Sequence, residues 1–151
     1  MGRAKASISV PGRAVDAEAL WYDPHRWPSW VDGFGHVVKL EGDWPRVGAR
    51  LLWESPPAGR GRVQETVVAY EARSGQTVEV EDAKMSGRQQ VAFEPAPDHV
   101  DVTLSLTYEI KDRNLLTPIV DLLFVRRAMN EALRRTVTRF ANERKAEIQF
   151  G

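Results

Sequence analysis

The chain has 151 residues, long enough for one domain with a substantial core and room for an internal cavity. Lysine plus arginine equals aspartate plus glutamate at 21 each, so no overall field draws in a polyanion, and a nucleic-acid partner would need a local basic stripe. With no cysteine, disulfides, thiolate metal sites and cysteine nucleophiles are all excluded.

The opening residues, MGRAKASISVPGRA, contain no apolar run of signal-peptide length. Within them, residues 5–10 alternate polar and apolar up to Pro11, which predicts a first strand. Val15, Leu20 and Trp21 then fall at spacings compatible with one face of a short helix. Asp23 ends it, because a residue before proline is pushed out of helical geometry. Pro28 suits the first turn of a second short helix, which Gly33 and Gly35 close.

Strands follow in succession over 34–41, 49–54, 61–72, 76–84, 88–94 and 100–110. In 34–41, Phe34, His36, Val38 and Leu40 share one face. The last strand is the clearest: Val100, Val102, Leu104, Leu106, Tyr108 and Ile110 face one way, and Asp101, Thr103, Ser105, Thr107 and Glu109 the other. That is a half-buried antiparallel strand with one wet face.

Thr117 can cap a final helix whose first residue is Pro118, and no breaker follows before Gly151. At 1.5 Å per residue the rod is roughly 43 Å long. Its apolar stripe runs through Ile119, Leu122, Leu123, Met129, Leu133, Val137 and Phe140, the spacing of a helix lying on a core. Arg126, Arg127, Arg134, Arg135 and Arg139 are spread around it and interleaved with Glu131 and Glu143, a solvated face rather than a nucleic-acid stripe. The longest apolar segment, LLTPIVDLLFV, is broken by Thr117, Pro118 and Asp121 and falls far short of the ~20 residues that span a bilayer. A soluble, cytoplasmic protein without stable membrane insertion is expected.

This order of elements, with RWPSWVDGF early and FVRRAMNEALRRTVTRFANE late, resembles the START-related SRPBCC superfamily over nearly the whole chain. Its members include lipid-transfer START domains and polyketide cyclases/dehydratases. The resemblance implies a single domain over 1–151 with an α+β helix-grip fold. A curved antiparallel sheet of about seven strands would wrap around the long C-terminal helix and enclose a cavity. Two short helices after the first strand would close one end. Physics agrees independently, since one amphipathic helix only partly fills the concave face of a strongly curved sheet. The remainder is either large side chains or a hollow for a small molecule.

The Trp27–Pro28 pair, with Phe34 seven residues after the tryptophan, is similar to the aromatic-ring polyketide cyclases. Trp27 would match their pocket tryptophan, and Phe34 stands where they carry a tyrosine. The alternative is that Trp27 and Trp30 only pack the short helices onto the sheet. Aligning the cyclases' Gly-Arg-Val on Gly61, Arg62 and Val63 drops their catalytic arginine onto Tyr70, a departure from the pattern. In that register Gln64, Thr66, Val68 and Tyr70 line the cavity and Glu65 points outward. Trp53 and Tyr108 join them as aromatics on strands.

Three residues are candidates for acid–base work. His36 has a side-chain pKa of about 6.5 when unperturbed and suits proton transfer if it faces the cavity; otherwise it sits at the sheet margin. Tyr70 offers a phenol. Arg126, on the helix stripe near Leu122 and Met129 and with Asn130 one turn on, either binds a carboxylate or phenolate or extends its head to water. His25, His36 and His99 have no ligand-like spacing, no metal or organic cofactor is implied, and GRGR at 59–62 lacks the helix that a phosphate loop requires.

These residues point to a protein that binds a small hydrophobic molecule, aromatic, polyketide-like or lipid. A polyketide cyclase or dehydratase, and a non-catalytic module with a protein partner, remain as alternatives. A homodimer is left open.

Overall fold

The computed structural model describes residues 1–111 and 119–150, with side chains in the last helix described from Phe124 onward. The candidates Thr117 and Pro118 and the side chains of Ile119, Leu122 and Leu123 therefore lie outside the described residues.

Strand β1 (Gly2–Pro11) leads into α1 (Ala14–Trp21) and a 3₁₀ helix (Pro24–Ser29). A meander follows: β2 (His36–Glu41), β3 (Arg50–Glu54), β4 (Arg62–Glu71), β5 (Gly75–Glu81), β6 (Met85–Pro95) and β7 (His99–Ile110). The long helix α2 (Ile119–Phe150) ends the chain. Neighbouring strands are antiparallel in the order β1-β7-β6-β5-β4-β3-β2, so β1 returns to pair with the last strand. This is the helix-grip arrangement expected from the sequence.

The second short helix differs from expectation. Pro28 does not open a second helix but lies inside the 3₁₀ helix that begins at Pro24. Asp23 starts that helix by accepting the His25 backbone N–H through its side chain at 3.1 Å, and Trp30 N–H closes it on Trp27 O. An N-cap carboxylate satisfies a donor that would otherwise be orphaned.

Strand alternation sets the faces. Val100, Val102, Leu104, Leu106 and Tyr108 are buried while their neighbours are wetter, as a period of two requires. On α2, Leu133, Val137, Phe140 and Ala141 form the buried face. Within the sheet this helix packs on β1 and β7, and α1 lies on β6 and β7. The segment after α1 is pinned to α2: Arg26 bridges Glu143 and Glu147, Asp32 pairs with Arg135 and Arg139, and the Asp32 N–H donates to Thr136 Oγ1. The helix is thus held to one side, and among the described residues no helix packs closely on the concave faces of β3–β5. No described helix is long and apolar enough to cross a membrane.

Candidate functional site

The uncovered concavity is a cavity of about 840 Å³. Its walls come from the short helices (Trp21, Trp27, Trp30), the inner faces of β3 to β7 (Trp53, Glu65, Val78, Val80, Val91, Leu104, Leu106) and α2 (Val125, Met129, Leu133, Thr136). The β3–β4 loop, Pro56–Arg60, lies at its edge with Asp82 and Lys84. An apolar concavity with few polar groups is the usual form of a small-molecule site.

A chain of rings runs through this region. Trp53 meets Phe34 at 5.1 Å between centroids, Phe34 meets Trp27 at 5.6 Å, and Trp27 meets Trp30 at 6.3 Å. Trp30 continues to Trp21 at 4.7 Å and Phe140 at 5.0 Å. Tilted and edge-on contacts of this kind match the positive rim of one ring to the negative face of the next. Trp27 Nε1 donates to Trp21 O at 2.8 Å, whereas the buried Trp30 Nε1 has no partner among the described residues.

A cluster of ionisable groups lies at the Trp53 end of this chain. Trp53 Nε1 donates to Glu65 Oε2 at 2.7 Å. Arg60 Nε is 2.9 Å from Asp82 Oδ2, its guanidinium lies 5.6 Å from the Trp53 ring centroid, and its buried Nη2 has no partner among the described residues. Asp82 Oδ1 accepts the backbone N–H groups of Lys84 and Met85, which fixes the β5–β6 turn and presents Oδ2 to Arg60. Burial pushes the Glu65 carboxyl above its ordinary value, against the Trp53 hydrogen bond and the Arg60 charge, which act to lower it.

The sequence matches, over residues 1–144, the family described as polyketide cyclase / dehydrase and lipid transport. The chain belongs to this family, within the START-related SRPBCC group. No curated protein sequence matches it. A START superfamily protein from Mycobacterium smegmatis has a TM-score of 0.73 at 14% identity, covering 96% of this chain and 98% of that one. A Thermus thermophilus protein, TTHA0849, gives 0.71 at 16% identity over 96% of this chain and 98% of its own. DynU16, from the dynemicin biosynthetic locus, gives 0.64 at 16% identity over 94% of this chain. This chain spans just under half, 46%, of DynU16. At these identities the likeness concerns the fold.

Against the cyclase pattern within this family, the register expected for β4 is corrected. Val63, Glu65 and Val67 are the buried set; Gln64 and Thr66 lie on the opposite face, in a shallow hollow of about 410 Å³ beside Glu79 and Arg88. The pairing register slips between Val67 and Ala69, so Val68 is the extra residue of a bulge. Beyond the bulge Tyr70 is half-buried against Tyr22, at 5.6 Å, and neither it nor Val68 lines the cavity. Unbroken alternation from Gly61 to Tyr70 does not survive that extra residue. Burial, then Tyr70 and Glu18, push the Tyr22 phenol up.

The other candidates divide. Trp27, Trp30, Trp53 and Met129 line the cavity, and Phe34 is buried behind Trp27 and Trp53. His36 does not reach it: its side chain is 66% exposed and faces Glu54 across the β2–β3 edge. Val37 is the half-buried residue there, and Val38 and Leu40 are exposed. Arg126 is exposed and does not line the cavity. Asn130 instead ties α2 to the sheet, accepting the Lys5 N–H at 3.0 Å. The Tyr108 ring covers Gly2 on β1, away from the cavity lining. Glu65, Arg60 and Asp82 were missed. The signal for Glu65 was its position between Val63 and Val67, two residues either side on one strand.

Proposed function

We propose that this protein binds a small, largely apolar, ring-bearing molecule in the cavity between the sheet and α2. The observation that carries the reading is the aromatic chain from Trp53 to Trp30 along a largely apolar hollow of about 840 Å³, with Glu65, Arg60 and Asp82 clustered at its Trp53 end. The family description, which includes lipid transport, supports a hydrophobic occupant. Four tryptophans in the wall make intrinsic fluorescence a direct readout. Titration with aromatic polyketides, quinones, lipids and sterols is expected to quench that fluorescence saturably for at least one class. Native mass spectrometry should then record a one-to-one complex. If every class leaves the fluorescence and the melting temperature unchanged, the reading is wrong.

Cyclase or dehydratase chemistry is a second reading, favoured by one observation: the buried Glu65 carboxyl in the cavity wall. A carboxyl held out of water is suited to exchange a proton with a bound substrate, and holding a chain in reactive geometry supplies much of the remaining acceleration. Incubating the protein with a poly-β-keto thioester and following cyclised product by mass spectrometry tests this. The Glu65→Gln variant is expected to lose turnover while still binding product.

A further inference from the structure

We propose that Glu65 anchors a hydrophobic amine, a molecule whose ring lies among the tryptophans and whose ammonium nitrogen pairs with the Glu65 carboxyl. This rests on the ligand-binding reading above and names the charge and class of the occupant.

β4 carries this carboxyl into an apolar wall. Glu65 is 6% exposed, lies between Val63 and Val67 on the buried face of the strand, and pairs across the sheet with Leu51 and Val80. It borders the cavity, and its hydrogen bond among the described residues runs from Trp53 Nε1 to Oε2. That leaves Oε1 to accept from an occupant. Buried carboxylates are ordinarily paired with a cation. Among the described residues no basic side chain forms an ion pair with Glu65, and Arg60, whose charge acts on it, is taken by Asp82.

The other charges of the described wall are already matched or wet. Arg60 and Asp82 cancel, Asp32 is held by Arg135 and Arg139, and Lys84 is exposed at the cavity edge. Val125, Ala128, Met129 and Ala132, facing from α2, carry no charge. The uncompensated group in the described wall is therefore an acid. It repels an anion, gains nothing from a hydrocarbon, and takes one hydrogen bond from a hydroxyl without a counter-charge. An ammonium supplies both the N–H donor and the counter-charge. The ring faces favour the same sign, and Trp53 already has the Arg60 guanidinium 5.6 Å from its centroid. The pair also does not depend on which partner brings the proton. An ionised carboxylate meets an ammonium, or a neutral carboxyl gives its proton to a neutral amine nitrogen, and the same contact results. Burial raises the Glu65 carboxyl, the direction expected of a buried acid that lacks a cationic partner.

The test uses three probes of nearly one shape, 2-naphthylmethylamine, 2-naphthylmethanol and 2-ethylnaphthalene, whose side chains end in NH₃⁺, OH and CH₃. Binding to the full chain is measured by equilibrium dialysis at neutral pH. The wild type is expected to hold the amine about tenfold or more tightly than either neutral probe, the scale of one charge-assisted hydrogen bond. Glu65→Gln, which keeps the shape and removes the charge, should lose that preference and still bind 2-ethylnaphthalene as the wild type does. Glu65→Leu, a second uncharged variant, should behave in the same way. A wild type that binds the amine no more tightly than the alcohol or the hydrocarbon overturns the amine site and leaves the cavity reading intact. A preference that survives in both variants overturns the role of Glu65. Binding of none of the three probes overturns both readings.

Discussion

Trp53 and Glu65 sit diagonally across the β3–β4 pair on the concave face, and the indole N–H donates to the carboxyl over 2.7 Å. Trp53 pairs directly with Val63 and Glu65 with Leu51, so the two side chains are diagonal neighbours. The tryptophan serves two ends at once. Its ring begins the aromatic chain that lines the hollow, and its nitrogen satisfies the buried acid in that wall.

Replacing Trp53 with phenylalanine keeps most of the ring contact with Phe34 and removes the donor. Glu65 Oε2 is then buried without a partner, a loss of roughly 1–3 kcal/mol in stability. Urea denaturation at neutral pH measures it. The substitution also removes a contact that favours the ionised carboxylate, so Glu65 should titrate higher still in this variant.

Glu65 also makes stability depend on pH, with an unusual sign. Its carboxyl is raised above the ordinary value of 4.5 in the folded chain, so between the unfolded and folded pKa the native state binds more protons than the unfolded state. The contribution of Glu65 is therefore most favourable below about 4.5 and is lost as pH rises through the folded pKa. Glu65→Gln removes this dependence. The stability difference between variant and wild type should move in favour of the variant as pH increases from 4.5, measured by urea denaturation across the range. A constant difference over that range would rule out a raised Glu65.

The elements with long, regular patterns were legible in the sequence. β7 alternates without interruption from Val100 to Tyr108, and the α2 stripe through Met129, Leu133, Val137 and Phe140 meets the sheet as its spacing implies. Trp27 and Trp30, in the proline-broken segment after α1, read as pocket wall or as packing of the short helices, and here they border the hollow while packing on each other; Trp53 reads only as an aromatic on a strand. The polar end was not legible. A bulge at Val68 adds one residue, reverses the faces of β4 beyond it and leaves no composition signal. The alignment on Gly61, Arg62 and Val63, with unbroken alternation to Tyr70, assigns Glu65 to solvent and Gln64 and Thr66 to the cavity. Arg60 and Asp82 read as ordinary turn residues until folding brings the two loops together.

Asp82 joins the β5–β6 turn to the β3–β4 loop through both of its oxygens. Oδ1 accepts two backbone N–H groups and Oδ2 holds Arg60. Asp82→Ala strips the turn of both acceptors and frees the guanidinium, and a destabilisation of about 2 kcal/mol is expected from the orphaned donors. Asp82→Asn keeps an acceptor for the turn and loses only the charge on Arg60, so it should fall well below that. Thermal or urea denaturation of the two variants separates the turn from the ion pair.

Trp27 and Trp30 provide a matched comparison, since both are buried indoles in the cavity wall that differ in hydrogen bonding. Trp27 Nε1 donates to Trp21 O at 2.8 Å, and among the described residues Trp30 Nε1 has no acceptor. Truncation to alanine should be severe at both, about 3–5 kcal/mol, because each leaves a hole among packed rings. Phenylalanine separates them. Trp27→Phe loses a buried hydrogen bond and orphans the Trp21 carbonyl. Trp30→Phe loses ring area but removes an unsatisfied N–H. Trp27→Phe is therefore expected to be less stable than Trp30→Phe by about 1 kcal/mol in urea denaturation of the unliganded protein. Saturating ligand adds a second comparison: if the occupant's oxygen reaches Trp30 Nε1, the Trp30→Phe variant binds it more weakly than the wild type does. If the occupant's polar group is held at the Glu65 end, the affinities of the two agree to within the loss of ring contact.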